Sequence, residues 1–201
     1  MKVLFILLSV MFCLLVMRNI KRTNRLGQAE TDRFWQREAK ADFTRKQDIS
    51  QLDYINIPLE QLPFGVDSSS EVQRTESSIR QLKDTKILNL NNYTNTDLKL
   101  MYGVANLTEL SECDNRFTIL VRTLYQWACR LQEHGHIREA IQVAEYSIEI
   151  GSDISGCYYM LADYYQTIGD NESLDRLRAS AETLTGLNAK PIKEYLNKSS
   201  I

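Results

Sequence analysis

A chain of 201 residues with 43% hydrophobic content holds one packed domain of about 100–150 residues, with length to spare for attachments. Its eight glycines and three prolines are too few for a turn-rich all-β architecture. The formal net charge of −2 hides a division, because residues 18–46 carry nine Lys/Arg against four Asp/Glu, whereas the rest, apart from Lys2, carries 14 basic and 22 acidic residues. A basic collar suits an anionic lipid surface, and an acidic body argues against nucleic acid as its partner.

Residues 3–17 form an apolar run in which only Ser9 is polar. At 1.5 Å per residue the run covers about 22 Å of a bilayer core of about 30 Å, which is short for a transmembrane helix. Lys2 before such a stretch also fits a cleaved signal peptide. The run, however, passes directly into Met17, Arg18, Asn19, Ile20, Lys21 and Arg22, with no small-x-small site before Gln28-Ala29. The expectation is an uncleaved transmembrane anchor over 1–20, extended by Asn19 and Ile20, with Lys2 and Arg18 reaching the interfaces. Arg18, Lys21, Arg22 and Arg25 outnumber Lys2 and the terminal amine, so the positive-inside rule makes this a single-pass protein of the cell membrane with a cytoplasmic body.

A basic juxtamembrane helix is expected over 21–47. Residues 28–46 lack Gly and Pro and align Trp35, Ala39 and Phe43 at four-residue spacing. Two readings stand side by side. In one, the helix lies on the inner leaflet, with Trp35 and Phe43 at the acyl boundary and Arg18, Lys21, Arg22 and Arg25 at the headgroups; in the other, it is a connector whose aromatics pack on the body.

Over 48–64, Pro58 and Pro63 disfavour helix, and Ile55, Ile57, Leu59 and Leu62 make the stretch too apolar for a free linker. It is expected to lie along the helical body. Residues 65–70, Gly-Val-Asp-Ser-Ser-Ser, read as a flexible joint. A helical domain follows over 71–201. Its early elements are a helix from Glu71 to about Asp84, a loop over 87–92, and a short helix capped by Asn95 or Thr96 and stopped at Gly103. A further helix starts after Asn106 and either continues or breaks near Asp114-Asn115.

Between Val121 and Gly186 one pattern of large and small residues occurs twice, 34 residues apart. Leu124, Trp127, Ala128, Leu131, Gly135 and Ala140 are answered by Tyr158, Leu161, Ala162, Tyr165, Gly169 and Leu174. A fixed period in this range marks stacked helical hairpins, which cannot bury their apolar faces singly. The first unit spans about 117–152, with helices from Phe117 to His134 and Ile137 to Ile150; the second spans about 154–186 and turns at Gly169-Asp170-Asn171. These residues resemble the tetratricopeptide repeat family. The chain departs from that pattern at Ser152 and Gly186, where a proline usually ends the unit, and at Ala144, Arg178 and Leu174. The resemblance implies an all-α fold, a right-handed stack of antiparallel helical hairpins, here behind the transmembrane helix. The whole chain also resembles single-pass bacterial membrane proteins with a cytoplasmic helical-repeat body. Two units are below the three or so usually needed, so neighbouring helices must complete the core. A final helix from Pro191 to Asn197 caps the open end.

Catalytic signatures are missing: no HExxH, GxSxG, P-loop or GxGxxG occurs. His134 and His136 flank a turn glycine and read as solvent-facing, and Cys13, Cys113, Cys129 and Cys157 form neither a CxxC pair nor a zinc spacing. No catalytic residue, metal or cofactor is expected. The positive expectation is a binding surface. In tetratricopeptide-like stacks the first helix of each hairpin lines the inner face, which here offers Arg122, Tyr125, Gln126, Cys129, Tyr159, Asp163 and Gln166 to a protein or peptide. The competing expectation is that the chain's own helices, or residues 55–64, fill that face. The function expected is a membrane-anchored, non-catalytic adaptor that contacts lipid through its N-terminal helix. The alternatives are an exported helical domain with a cleaved signal peptide and an enzyme of unfamiliar motif.

Overall fold

A computed structural model describes residues 2–198; for 2–10, 13, 14, 20 and 22–27 it describes the backbone alone. Among the described residues the chain is helical, without strands. Its α-helices are α1 (Lys2–Asp42), α2 (Ser70–Leu82), α3 (Asn95–Tyr102), α4 (Leu107–Glu133), α5 (Ile137–Glu149), α6 (Ser155–Ile168), α7 (Asn171–Glu182) and α8 (Ala189–Lys198), with a 3-10 turn at Val104–Asn106. They form two compact units, the first made of the chain up to Ile49 with Tyr93–Leu107, the second of Ser50–Asn92 with the chain from Thr108.

In the first unit the expected anchor and juxtamembrane helix are one helix, α1, of 41 residues. No proline interrupts residues 2–42, so nothing in the backbone forces a break. Among the described residues no helix is long and apolar enough to cross a membrane. The expected transmembrane span therefore has no support from them. The side chains of 3–10, 13 and 14, and those of Arg22 and Arg25, lie outside the described residues.

The C-terminal part of α1 packs on α3 through polar groups. Lys99 Nζ donates to Glu38 Oε2 at 3.0 Å and to Asp42 Oδ1 at 2.9 Å, Arg37 pairs with Asp97, and Thr96 Oγ1 donates to Glu38. Helix α3 begins one residue earlier than the caps expected at Asn95 or Thr96. Thr94 caps it, because Asp97 stands three residues on and its carboxylate accepts from the Thr94 backbone N–H, closing a capping box. At the other end Gly103 has φ +84°, and a Cβ there would lie 2.6 Å from the carbonyl oxygen of Arg45. No other residue type fits that position without moving backbone.

The second unit carries the repeat. All ten non-glycine positions of the 34-residue pattern are buried, since each lies on the apolar stripe of its helix. Helix α4 begins at Leu107 rather than near Phe117 and does not break at Asp114-Asn115; Leu110, Cys113, Phe117 and Leu120 continue its buried stripe at three- and four-residue spacing. Helix α5 packs on α6, and α6 on both α7 and α8. Helix α8 starts two residues before Pro191, which still falls in a first turn where no backbone donor is needed.

Helix α2 and residues 50–64 complete this core. Val72 and Ile79 of α2 are fully buried in it, as are Ile57 and Ile87 from the irregular chain, and Leu62 is buried beside them. Backbone groups of the irregular segment find partners along its path: the Ile55 N–H donates to the Ile87 carbonyl at 2.9 Å, Gln142 Nε2 donates to the Gln61 carbonyl at 2.5 Å, and the Tyr146 hydroxyl donates to the Asn56 carbonyl at 3.5 Å. Phe64 ends the segment against Trp127, ring centres 4.7 Å apart, with the Arg80 guanidinium 4.2 Å from the centre of the Phe64 ring.

Candidate functional site

Of the residues expected to form one binding face on α4 and α6, Tyr125, Cys129 and Tyr159 are half-buried. Tyr125 lies half-buried against α6 at Gly156, where a Cβ would fall 2.3 Å from the tyrosine ring. Its hydroxyl is held protonated above the ordinary phenol range, first by a hydrogen bond with Cys129 and then by burial. Tyr159 stacks on Tyr195 of α8 at 4.2 Å, and the Tyr195 hydroxyl donates to Asp163 Oδ1 at 2.6 Å. That hydrogen bond, with desolvation, pushes Tyr195 up to about 12. The reason for the departure is local: α8 is amphipathic, and burying Ile192 and Leu196 places Tyr195 over this part of α6. Arg122, Gln126 and Gln166 are left exposed.

Gln126 opens instead onto a polar groove between α2 and α4, of about 280 Å³, lined by Glu71, Arg74, Thr75, Ser78, Thr123, Gln126 and Arg130. Arg130 is fixed there: its Nη1 donates to the Glu71 carbonyl at 2.6 Å and to the Thr75 hydroxyl at 3.3 Å. A second groove, of about 410 Å³, runs along α5, α6 and α7 over Leu161 and Leu177. There the Tyr165 hydroxyl donates to Glu145, and burial followed by that carboxylate raises its pKa.

His134 and His136 are not simply solvent-facing. His134 Nδ1 pairs with Asp67, and His136 Nε2 lies 3.6 Å from the same carboxylate oxygen. Asp67 is only 9% exposed, and its carboxyl is held down at about 2, mainly by the Ser69 backbone N–H at 2.6 Å and next by His134. The stretch read as a flexible joint is thus a built turn. Within it the Gly65 N–H donates to Glu76 Oε1 at 2.9 Å, and the Ser69 side chain caps α2. Among the described residues no group of three or more His, Cys, Asp or Glu is arranged to hold a metal ion.

In the first unit the described aromatic side chains of α1, and that of Phe43 just after it, stay in solvent. Trp35 is 63% exposed and Phe43 88%, and Phe34 stacks edge-on against Trp35 at 5.3 Å. The side of α1 turned to α3 carries Glu38 and buried Ala41, about 60° and 120° of helix rotation from Trp35 at 100° per residue. Met11, Phe12, Leu15, Val16 and Met17 are also exposed, as are Arg18 and Lys21.

Comparison with protein-family models, with curated proteins and with solved structures finds no match to this chain.

Proposed function

We propose that the chain is a non-catalytic adaptor or scaffold, held at the cytoplasmic face of the cell membrane by α1 and engaging a protein or peptide partner through a tetratricopeptide-like helical stack in its second unit. The observation that carries this reading is the amount of apolar side chain that α1 exposes. Arg37, Glu38 and Asp42 engage α3, while Met11, Phe12, Leu15, Val16, Met17, Phe34 and Trp35 of the same helix, and Phe43 just beyond its end, are exposed to water. Burying a side chain of this size is worth about 1.5–3 kcal/mol, and exposed apolar surface on this scale marks an interaction site. The basic surplus of residues 18–46 supports anionic lipid as the surface that covers it. The 34-residue repetition, buried at both copies, supports the stack.

The two tryptophans allow a direct test. Trp127 is buried and Trp35 is exposed, so vesicles containing phosphatidylserine should blue-shift the emission of Trp35 and protect it from acrylamide, with little effect from neutral vesicles. Emission that stays unmoved by anionic vesicles would sink the membrane assignment. Sidedness is read at Leu187, which is 96% exposed: Leu187→Cys should resist an impermeant maleimide in intact cells and react after lysis. Labelling in intact cells would favour an exported body.

A further inference from the structure

We infer that the groove between α2 and α4 binds an acidic peptide segment, whose carboxylates meet Arg74, Arg130 and Arg122. This names the partner chemistry of the adaptor and rests on that reading.

The inference begins from charge. Outside Lys2 and residues 18–46 the sequence carries 22 acidic and 14 basic residues, yet the groove is lined by two arginines and one glutamate. Arg122 stands one turn beyond Gln126 on the line Arg122, Gln126, Arg130, at four-residue spacing on α4. Among the described residues neither Arg74 nor Arg122 pairs with a carboxylate, and Arg130 spends its bonds on neutral oxygens, the Glu71 carbonyl and the Thr75 hydroxyl. Two arginines and one carboxylate, Glu71, thus line the groove, with Arg122 beyond the lining on the same line of α4, on a body whose other charges are mostly negative.

The groove is also prepared for carboxylate. Thr75 is buried and Arg130 is anchored to it, so one guanidinium is held in place before a ligand arrives, which lowers the ordering cost of binding. Paired N–H donors of arginine match the two oxygens of a carboxylate. Ser78, Thr123 and Gln126 add neutral polar groups at the walls. A peptide is favoured over a small anion by Ile119, which is 52% exposed. It continues the α4 line one turn beyond Thr123, giving the groove an apolar neighbour that a free anion has no use for.

The test uses the full chain in solution without vesicles, so its outcome is independent of whether α1 binds membrane. A fluorescein-labelled oligoglutamate peptide containing one leucine is titrated by anisotropy, with the oligolysine counterpart as control and inorganic phosphate as competitor. The expected result is saturable binding of the acidic peptide that weakens with added salt. The double variant Arg74→Gln/Arg122→Gln should bind about tenfold more weakly, while Arg176→Gln, at an exposed position of α7, should bind as the unaltered chain does. Both changed arginines of the double variant are exposed, and an unchanged melting curve shows that it is folded. Equal affinity of the double variant and the unaltered chain overturns the inference. So does equal binding of oligolysine, or displacement by phosphate at a concentration matching the peptide carboxylates. If the double variant melts early, Arg74→Lys/Arg122→Lys, which keeps the charge and removes the planar fork, takes its place with the same criterion.

Discussion

Replacing Ile57 by alanine tests whether the irregular segment before α2 belongs to the core of the second unit. Ile57 is 2% exposed although it lies in no helix. The substitution removes about three carbon groups, worth about 0.8 kcal/mol each in transfer free energy, and incomplete collapse of the cavity brings the expected loss to about 3 kcal/mol. For a cooperative unit of roughly 135 residues, at about 2.1 cal/mol/K of unfolding entropy per residue, this corresponds to a fall in melting temperature of about 10 °C. Urea unfolding followed by Trp127 fluorescence measures the loss directly, since Phe64, at the end of the same segment, lies 4.7 Å from that indole. Ile168→Ala, at a site 54% exposed, is the reference and should change stability by no more than about 0.5 kcal/mol. If Ile57→Ala falls within the range of that reference, the segment is only draped over the helices and is no part of the core.

Acid should remove one specific contribution to stability. Asp67 has a carboxyl lowered to about 2 in the folded chain against about 3.9 when unfolded, so its contribution is complete above about pH 4 and is lost as pH falls through about 2. Asp67→Asn should flatten that part of a plot of urea midpoint against pH; an unaltered acid limb would show that the turn at Asp67 is not formed in solution. Gly103→Ala places a side chain at φ +84° against the Arg45 carbonyl. It should destabilise α3 by about 1–3 kcal/mol from the backbone term alone, visible as faster amide exchange over Asn95–Tyr102, and unchanged exchange there would count against the described approach of Arg45.

The parts of the fold that can be read from sequence are those whose signal is local. The stripe Leu124, Trp127, Ala128, Leu131 repeats within one helix at the helical period, and Gly135 and Gly169 punctuate the hairpins with positive φ, so the all-α class and the course of the helices through the repeat follow from neighbours a few residues apart, although the early start of α4 at Leu107 does not. What the sequence leaves open are pairings across long intervals. Lys99 with Glu38, Asp67 with His134, and Thr185 with Asn92 are 61, 67 and 93 residues apart. Polar side chains of this kind carry no period, and each has many possible partners along a chain that is 25% charged. The continuity of α1 was hidden for a different reason: a change from apolar to basic composition resembles a boundary, but helix geometry responds to Pro, Gly and caps, and composition alone breaks nothing. On the expected binding face Tyr159 is covered by Tyr195 because amphipathic α8 buries Ile192 and Leu196, and no feature of α6 itself announces that its tyrosine will be covered.

The standing of that cover decides whether Tyr159 and Asp163 can ever meet a partner. If α8 is an integral layer, Ile192→Ala should cost about 2–5 kcal/mol, as for other fully buried aliphatic side chains, because Ile192 has no exposed surface and the change leaves a cavity between α8 and the stack. Tyr195→Phe should cost only about 1 kcal/mol, since Asp163 is exposed and water can take the place of the lost hydroxyl donor. The two variants therefore separate apolar docking of α8 from its polar contact. Tyrosine nitration provides a second reading: in the unaltered chain Tyr159 is shielded by the Tyr195 ring, and in Ile192→Ala it should become reactive as α8 loosens. A loss below about 0.5 kcal/mol in Ile192→Ala, with Tyr159 equally reactive in both proteins, would mean that α8 leaves the stack readily in solution. The α6 side of the inner face would then be open, and the α2–α4 groove would no longer be the only part of this surface offered to a peptide.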